Sequence, residues 1–208
     1  MERDADILIV GGGLNGPALG LALAQGGLRV VVVDARPAPA RAEAGFDGRA
    51  YALAIASQRL LAGIGVWPRL AGQVQPILQI KASDGRPGQG PAPFFLTFDA
   101  AEIEEGPMGF MVEDRHLYAA FLAAMAEEPG LTLLSGEVVA AQEVDAAGVT
   151  VTLASGRQLR AAAVLGCDGR GSGTAARAGI RRQGWGYGQT ALVTAVHHAR
   201  DHKGVAQQ

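Results

Sequence analysis

The sequence predicts an α/β fold that combines a parallel sheet with an antiparallel β-meander, and three observations support this prediction. Residues 7–34 alternate between short apolar strands and a helix rich in alanine and leucine. Residues 131–162 contain short strands separated by glycine turns. Residues 163–165 are again apolar and lead into a Gly-Cys-Asp-Gly turn. Strands that alternate with helical segments favour a parallel sheet, whereas closely spaced strands with glycine turns favour a meander.

The first unit, residues 7–34, has the complete pattern of a dinucleotide-binding strand–turn–helix–strand motif. A strand at residues 7–10 is followed by Gly11-x-Gly13-x-x-Gly16, a helix at residues 17–25 and a strand at residues 30–33. The second strand ends in Asp34, about 20 residues beyond the glycines, which is the spacing of the ribose-binding acid in such motifs. Strand, glycines, helix and acid agree, so the sequence predicts a Rossmann-like dinucleotide site.

Each glycine of that motif has a physical role. Gly11 allows the tight turn, Gly13 lets a pyrophosphate approach the backbone, and Gly16 lets the helix pack close to the strand. The helix N-terminus offers N–H donors and a positive dipole end to the phosphates. The Asp34 carboxylate would accept ribose hydroxyls and repel a 2′-phosphate, which favours FAD or NAD over NADP. Four neighbouring residues are expected to line the same site: Leu14, Asn15, Ala35 and Arg36.

Composition narrows the class of protein. The chain has 208 residues, 49% of them hydrophobic and 18% charged, with a net charge of −2 and no run of basic residues. Nucleic acid is therefore not an expected partner. The single cysteine, Cys167, excludes an internal disulfide and suggests a reducing compartment. The start of the chain is acidic and no apolar stretch approaches about 20 residues, so a cytoplasmic location is expected.

The other elements follow from periodicity and turn signals. We expect a loop over residues 36–49, then helices at 50–64, 115–127 (capped by Asp114) and 174–178. We expect strands at 77–82, 94–98, 108–112, 131–134, 137–144, 149–153, 157–162 and 189–198. The histidines have no metal-ligand spacing, because His197 and His198 fall on opposite faces of a predicted strand. No metal site is predicted.

Four segments give the chain a resemblance to the FAD-dependent aromatic hydroxylases. An apolar strand that ends in Asp168-Gly169 resembles the Asp-Gly motif of that family. Residues 47–67, beginning DGRAYALA, resemble its Arg-x-x-Ala-Leu segment, and residues 108–121, MGFMVEDRHLYAAF, resemble its strand–acid–Arg–helix segment. Residues 185–208 look like the first strand of the substrate region in the branch that makes ubiquinone. The chain thus resembles the N-terminal half of a 2-polyprenyl-phenol monooxygenase.

The resemblance implies roles for particular residues. Gly11, Gly13 and Gly16 would hold the FAD pyrophosphate, and Asp34 would hold the ribose. Arg49 would lie near the pyrophosphate on the flavin side, and Arg115 near the ribityl or phosphate region. The backbone of Val139 would approach the adenine. Asp168 would accept from the ribityl chain or orient Arg49, and Gly169 would keep that approach open. No catalytic residue is assigned.

The resemblance also implies an activity and a domain organisation. NAD(P)H would reduce FAD, and one atom of O2 would be transferred to a phenolic, possibly polyprenylated, substrate met at the inner membrane surface. An FAD-binding domain would comprise residues 1–75 and 107–182. The beginning of a substrate-domain sheet would comprise residues 76–106 and 183–208, truncated at the C-terminus. Such a fragment is expected to be inactive alone, and an oligomer is compatible with it.

Two departures from the family pattern keep alternatives open. Ala175 stands where the family commonly has an arginine, and Arg177 lies two residues further on. The family's third motif, a Gly-Asp that grips the cofactor from the other side, is absent from residues 1–208. The alternatives are a non-catalytic truncated module that acts through protein contacts and an NAD-dependent dehydrogenase. The meander disfavours the dehydrogenase, because simple dehydrogenases continue with βαβ units.

Overall fold

The computed structural model describes residues 3–38, 40, 45–86 and 88–208. Within these residues the strands are β1 (Ile7–Val10), β2 (Val30–Asp34), β3 (Ala50–Ala54), β4 (Val74–Ile77), β5 (Gln79–Ala82), β6 (Leu96–Asp99), β7 (Gly109–Glu113), β8 (Leu131–Ser135), β9 (Val139–Asp145), β10 (Gly148–Leu153), β11 (Gln158–Ala161), β12 (Ala163–Gly166) and β13 (Val205–Gln207). The α-helices are α1 (Asn15–Gln25), α2 (Ile55–Gly63), α3 (Asp114–Glu127) and α4 (Gly173–Arg177), and two 3-10 helices span Trp67–Leu70 and Ala100–Glu102.

The central layer is a four-stranded parallel sheet in the order β12–β1–β2–β8. Both of its faces are covered, as the near-continuous apolar sequences of β1 and β2 predict. On one face Ile9 and Val32 share an apolar core with α1, α2 and α3. On the other face Leu8 and Val31 share a second core with the meander strands. The predicted α/β fold, with helix, sheet and meander in layers, is confirmed.

The meander consists of β9, β10 and β11 in antiparallel order, close to the predicted bounds of residues 137–144, 149–153 and 157–162. The prediction that residues 131–134 begin the meander is wrong. They form β8, which runs parallel to β2 with Val30 opposite Leu131 and Asp34 opposite Ser135. The helix α3 that precedes β8 supplies the long connection that a parallel strand needs.

The prediction of one helix over residues 50–64 is also wrong in its first part. Residues Ala50–Ala54 form β3, and only Ile55–Gly63 is helical. β3 pairs antiparallel with β7, and β4 pairs with the other edge of β7. Pairing with a strand about 60 residues away outweighs the helix propensity of the alanines and leucine in this segment.

A small third sheet has the order β13–β5–β6. The single strand predicted at residues 77–82 is divided between two sheets, with β4 in one and β5 in the other, and the break falls at Leu78. The backbone N–H of Leu78 donates to the carbonyl of Gly204 instead of continuing either strand. β5 pairs antiparallel with β6 and parallel with β13.

Residues 189–198, predicted as a strand, have no regular secondary structure. All ten are exposed, and the exposed fraction of Leu192 reaches 93%. A strand requires a neighbour to satisfy its backbone N–H and C=O groups, and within the described residues this segment has none. The strand that does form near the end of the chain is β13.

Asp114 does not cap α3 as predicted. It is the first residue of the helix, Glu113 precedes it, and no side chain caps the first turn. The Asp114 carboxylate is engaged by Tyr51 and Arg49 from another part of the chain. The predicted loop at residues 36–49 lies partly outside the described residues, at positions 39 and 41–44. Among the described residues, no helix has the length and apolar character to cross a membrane.

The pairing of β3 with β7 predicts that Gly109→Ala destabilises the fold. A β-carbon at Gly109 would lie 2.5 Å from the carbonyl oxygen of Leu53. We expect the free energy of unfolding to fall by about 1–3 kcal/mol, the usual cost of overpacking. Urea denaturation measures this change.

The matched control is Gly63→Ala, at the last position of α2, where an added β-carbon meets no atom within 4 Å. Alanine favours helix there, so the free energy of unfolding should stay unchanged or rise by up to about 1 kcal/mol. Equal losses in the two variants would contradict the close approach of β3 and β7.

Candidate functional site

A cleft of about 480 Å³ opens at the carboxyl ends of β1, β2 and β12. Because these strands are parallel, the segments that follow them meet at one edge of the sheet, where α/β folds bind ligands. Eight of the predicted site residues line this cleft: Gly11, Gly13, Asp34, Ala35, Arg36, Val139, Asp168 and Gly169. The structure therefore brings together segments as far apart in sequence as Gly11 and Gly169.

The turn after β1 is fixed by close backbone contacts. Gly11 has a φ of 109°, and a β-carbon there would lie 2.3 Å from the carbonyl oxygen of Cys167. Its N–H donates to the carbonyl of Val33 at 2.8 Å. A β-carbon at Gly16 would lie 1.9 Å from the carbonyl oxygen of Gly11. These two positions therefore require glycine for packing.

Gly13 differs from these two glycines. A β-carbon built on it meets no atom within 4 Å, and its φ is not in the left-handed region. Since Gly13 also lines the cleft, the space that a side chain would fill there is space available to a ligand. Gly12, which the sequence interpretation did not single out, faces Asp34: its β-carbon would lie 2.6 Å from the carboxylate oxygen Oδ2.

Helix α1 begins at this turn. Leu14 precedes the helix in a helical conformation, and Asn15 is its first residue. No side chain caps the first turn, and no acidic residue lies in it. Leu14, Asn15 and Gly16 are not among the residues that line the cleft. These three residues therefore contribute by forming the start of α1. The N–H groups and the positive dipole end of that helix start attract anions.

Asp34, at the end of β2, is the acidic group of the cleft nearest to the glycine turn. Its side chain is buried, with an exposed fraction of 6%, and its Oδ1 accepts from the backbone N–H of Arg36 at 3.3 Å. Its carbonyl accepts from the N–H of Glu137, which draws the start of the meander to the cleft. Asp34 is thus held through both its carboxylate and its backbone carbonyl.

The Asp168 carboxylate accepts hydrogen bonds from the segment that follows it in the chain. Oδ1 accepts from the Ser172 hydroxyl at 2.5 Å, and Oδ2 accepts from the N–H and the hydroxyl of Thr174 at 2.9 and 3.0 Å. Burial raises the pKa of Asp168, but these hydrogen bonds outweigh it, and the pKa lies below its usual value. Asp168 makes no hydrogen bond or ion pair with Arg49 among the described contacts. It fixes the segment that leads into α4.

Arg177 forms part of the opposite wall. Its guanidinium donates to the carbonyl oxygen of Val139 at 3.3 Å and to the Gln142 side chain at 3.2 Å. It thereby joins α4 to β9 and brings a positive charge to the cleft. An arginine five residues after Ser172 was visible in the sequence, but only packing against β9 gives it this position. Further lining residues that the sequence interpretation did not assign are Val10, Gly12, Val33, Glu137, Val138, Cys167, Gly171 and Gly173.

Arg49 and Arg115 lie at a second, smaller pocket, together with Phe46, Asp47 and Asp114. Arg49 pairs with Asp47 at 2.6 Å and with Asp114 at 3.1 Å. The Nε of Arg115 donates to Glu113 at 2.6 Å, and its guanidinium stands 5.7 Å from the centre of the Phe46 ring. Neither arginine lines the main cleft. The structure thus brings these two residues together but assigns each of them carboxylate partners.

Two further observations narrow the chemistry of the cleft. Burial, and then the charge of Asp168, raise the pKa of the Cys167 thiol, which disfavours the nucleophilic thiolate. Among the residues that the structure describes, no group of histidine, cysteine and acidic side chains has a metal-binding arrangement. The cleft instead combines open backbone, carboxylates and arginines, a set suited to a ligand with hydroxyl and phosphate groups.

Comparison with known proteins gives related sequences over the whole chain. Ubiquinone hydroxylase UbiL of Rhodospirillum rubrum is 46% identical over 205 residues, which is 99% of this chain and 46% of that protein. The 3-demethoxyubiquinol 3-hydroxylase of Escherichia coli K12 is 35% identical over 203 residues, 96% of this chain and 50% of that protein. The chain therefore spans about half the length of these curated relatives.

A solved structure has the same fold. The p-nitrophenol 4-monooxygenase PnpA of Pseudomonas putida DLL-E4 superposes with a TM-score of 0.70, covering 86% of this chain and 44% of that one at 20% identity. The family model described as "FAD binding domain" matches residues 4–207. Since this match includes the glycine turn, Asp34, the meander and Asp168-Gly169, the chain belongs to the FAD binding domain family.

Proposed function

We propose that this chain binds FAD and contributes the cofactor-binding part of an FAD- and NAD(P)H-dependent monooxygenase that hydroxylates a phenolic ring in ubiquinone biosynthesis. The observation that carries this proposal is the 46% identity to a ubiquinone hydroxylase over 99% of the chain. The arrangement of residues in the cleft supports the same cofactor.

The residues of the cleft fit FAD. Gly13 leaves open space beside the helix start, where a pyrophosphate can approach the backbone. The buried Asp34 carboxylate offers an acceptor for ribose hydroxyls and disfavours a 2′-phosphate. Val139 lines the cleft where the meander meets β2, and we propose that its backbone faces the adenine. Gly169, with a φ of 81°, keeps the turn beside Asp168 free of a side chain.

Arg49 and Arg115 are proposed to face the same cofactor from the second pocket. Their guanidinium groups are suited to bidentate contacts with phosphate oxygens. Because carboxylates already pair with both, a phosphate would have to share each guanidinium with its carboxylate partners. The contribution of each arginine to affinity should therefore be smaller than that of an unpaired cation.

In this proposal the protein supplies binding and orientation, and the cofactor supplies the redox chemistry. When bound, FAD would supply the redox chemistry with NAD(P)H as the reductant, so that one atom of O2 would enter the phenolic ring and the other would leave as water. The described residues hold the adenosine and pyrophosphate, exclude water from the buried Asp34 and fix the turn at Asp168.

The proposal extends to the location and the domain organisation of the protein. We propose a cytoplasmic protein with FAD-binding residues 1–75 and 107–182 and substrate-facing residues 76–106 and 183–208. A polyprenylated phenol is strongly apolar, so the enzyme would meet it at a membrane surface. The exposed aromatic side chains near residue 95 lie in the second of these regions, which is consistent with an apolar partner there.

A chimera tests the proposed reaction. This chain would replace the matching residues of the Escherichia coli 3-demethoxyubiquinol 3-hydroxylase in cells that lack that enzyme. We expect the chimera to retain flavin and to restore ubiquinone, measured by chromatography of lipid extracts. A chimera that binds flavin without restoring ubiquinone would favour a module with another role, and one that binds no flavin would contradict the proposal.

Gly13→Val is predicted to weaken FAD binding without unfolding the protein. Its branched side chain would occupy the open space beside the helix start, so we expect at least a tenfold loss of affinity, about 1.4 kcal/mol. The free energy of unfolding should change by less than about 0.5 kcal/mol, because no protein atom lies within 4 Å of the new β-carbon. Flavin fluorescence titration and urea denaturation measure the two quantities.

Gly16→Ala provides the contrast. Its β-carbon would overlap the carbonyl oxygen of Gly11, so this variant should lose stability as well as FAD binding. If Gly13→Val bound FAD as tightly as the parent, the open space at Gly13 would not be the phosphate site.

Asp34→Ala is predicted to weaken FAD by about 1–3 kcal/mol, the value of a hydrogen bond to a charged group in a buried site. NADP, whose extra phosphate the carboxylate should repel, is expected to lose less affinity or to gain some. Isothermal titration with both ligands measures the change. Asp84→Ala, at an exposed aspartate distant in sequence from the cleft, serves as the control. Unchanged FAD affinity in Asp34→Ala would mean that the carboxylate only stabilises the turn.

A further inference from the structure

Asp114 joins two side chains that come from another part of the chain. Its Oδ1 accepts from the Tyr51 hydroxyl at 2.8 Å, and its Oδ2 lies 3.1 Å from a guanidinium nitrogen of Arg49. Tyr51 and Arg49 flank the start of β3, whereas Asp114 begins α3. One carboxylate thus uses one oxygen for each partner, and the two contacts share a single side-chain rotamer.

The two carboxylates beside Arg49 have different surroundings. Asp47 lies two residues from Arg49 on the same loop, and its side chain is 46% exposed. Asp114 is held on a helix, and its side chain is 21% exposed. Because Asp47 lies on the same loop as Arg49, it neutralises the guanidinium without tying it to another element of the fold. Asp114 is therefore the partner that ties the Arg49 guanidinium to helix α3.

Tyr51 is suited to fix that partner. Its ring packs against the apolar core that the helices share with the parallel sheet, so the hydroxyl is presented by a well-supported side chain. Burial, and then the hydrogen bond to Asp114, raise the pKa of Tyr51 above its usual value. The hydroxyl therefore keeps its proton and acts as the donor to Asp114.

We propose that Tyr51 is a positioning residue for Arg49: its hydroxyl fixes the Asp114 carboxylate, and that carboxylate fixes the guanidinium of Arg49 for contact with the cofactor. The inference rests on the proposed function in one respect, the contact between Arg49 and FAD. The internal part, in which Tyr51 acts on Arg49 through Asp114, stands on the structure alone and has its own readout.

A double-mutant cycle with Tyr51→Phe and Arg49→Met tests the proposal. Phenylalanine keeps the packed ring and removes only the donor, and methionine keeps the length of the arginine stem without its charge. FAD affinity is measured by flavin fluorescence for the parent, both single variants and the double variant. Tyr187→Phe, at a tyrosine that is 79% exposed, is the matched control and should leave affinity unchanged.

We expect Tyr51→Phe to weaken FAD about fivefold in the parent, the coupling typical within one hydrogen-bond network, and by less than about twofold in the Arg49→Met background. That difference would support positioning, because a general structural defect would reduce affinity in both backgrounds. Equal losses in both backgrounds, or no loss in the parent, would overturn the proposal.

Urea unfolding of the same four proteins provides a readout that needs no cofactor. If Tyr51 supports Arg49 through Asp114, the two substitutions should be coupled by about fivefold in the unfolding equilibrium constant, although the pair share no hydrogen bond. Coupling without FAD binding would contradict the proposed function and leave the internal arrangement supported. Additive effects on unfolding would overturn the inference even if FAD binds.

Discussion

The turn after β1 depends on a close contact between the backbone of Gly11 and the backbone of Cys167. Gly11 passes so close to the carbonyl of Cys167 that no side chain fits between them, and its N–H is bound to the carbonyl of Val33. The three strands that end here must therefore be in register before the turn has its shape. The open space at Gly13, the direction of α1 and the position of Asp34 all follow from that constraint.

Burial on both faces of the parallel sheet makes this arrangement rigid. Side chains that alternate along β1 and β2 enter two separate apolar cores, one with the helices and one with the meander. A shift of either strand by one residue would exchange the two sets of side chains and disrupt both cores. The meander is thus more than a covering layer, because it also carries Val139 and, through Arg177, the wall of the cleft.

The features that the sequence predicted well are those whose cause is local. Three features can each be recognised within a short segment: the glycine spacing, the acid at the end of β2 and the Asp-Gly turn after β12. All three lie at the cleft. The features that it missed depend on distant partners. Ala50–Ala54 is a strand because β7 lies beside it, and Gly12 matters because Asp34 packs over it. Likewise, the pairing of Arg49 with Asp114 joins two distant segments and has no local signature.

The pairing of β1 with β12 has a consequence for how the protein is made. Residues 7–10 are synthesised well before their partner strand, which comes from residues 163–166. Until Cys167 has left the ribosome, the glycine turn lacks the backbone against which it closes. Folding of domains during synthesis proceeds as the chain emerges, and contacts between distant segments form slowly. Cofactor capture by this cleft must therefore follow the synthesis of β12, and until then the β12-facing edge of β1 is open to wrong pairing.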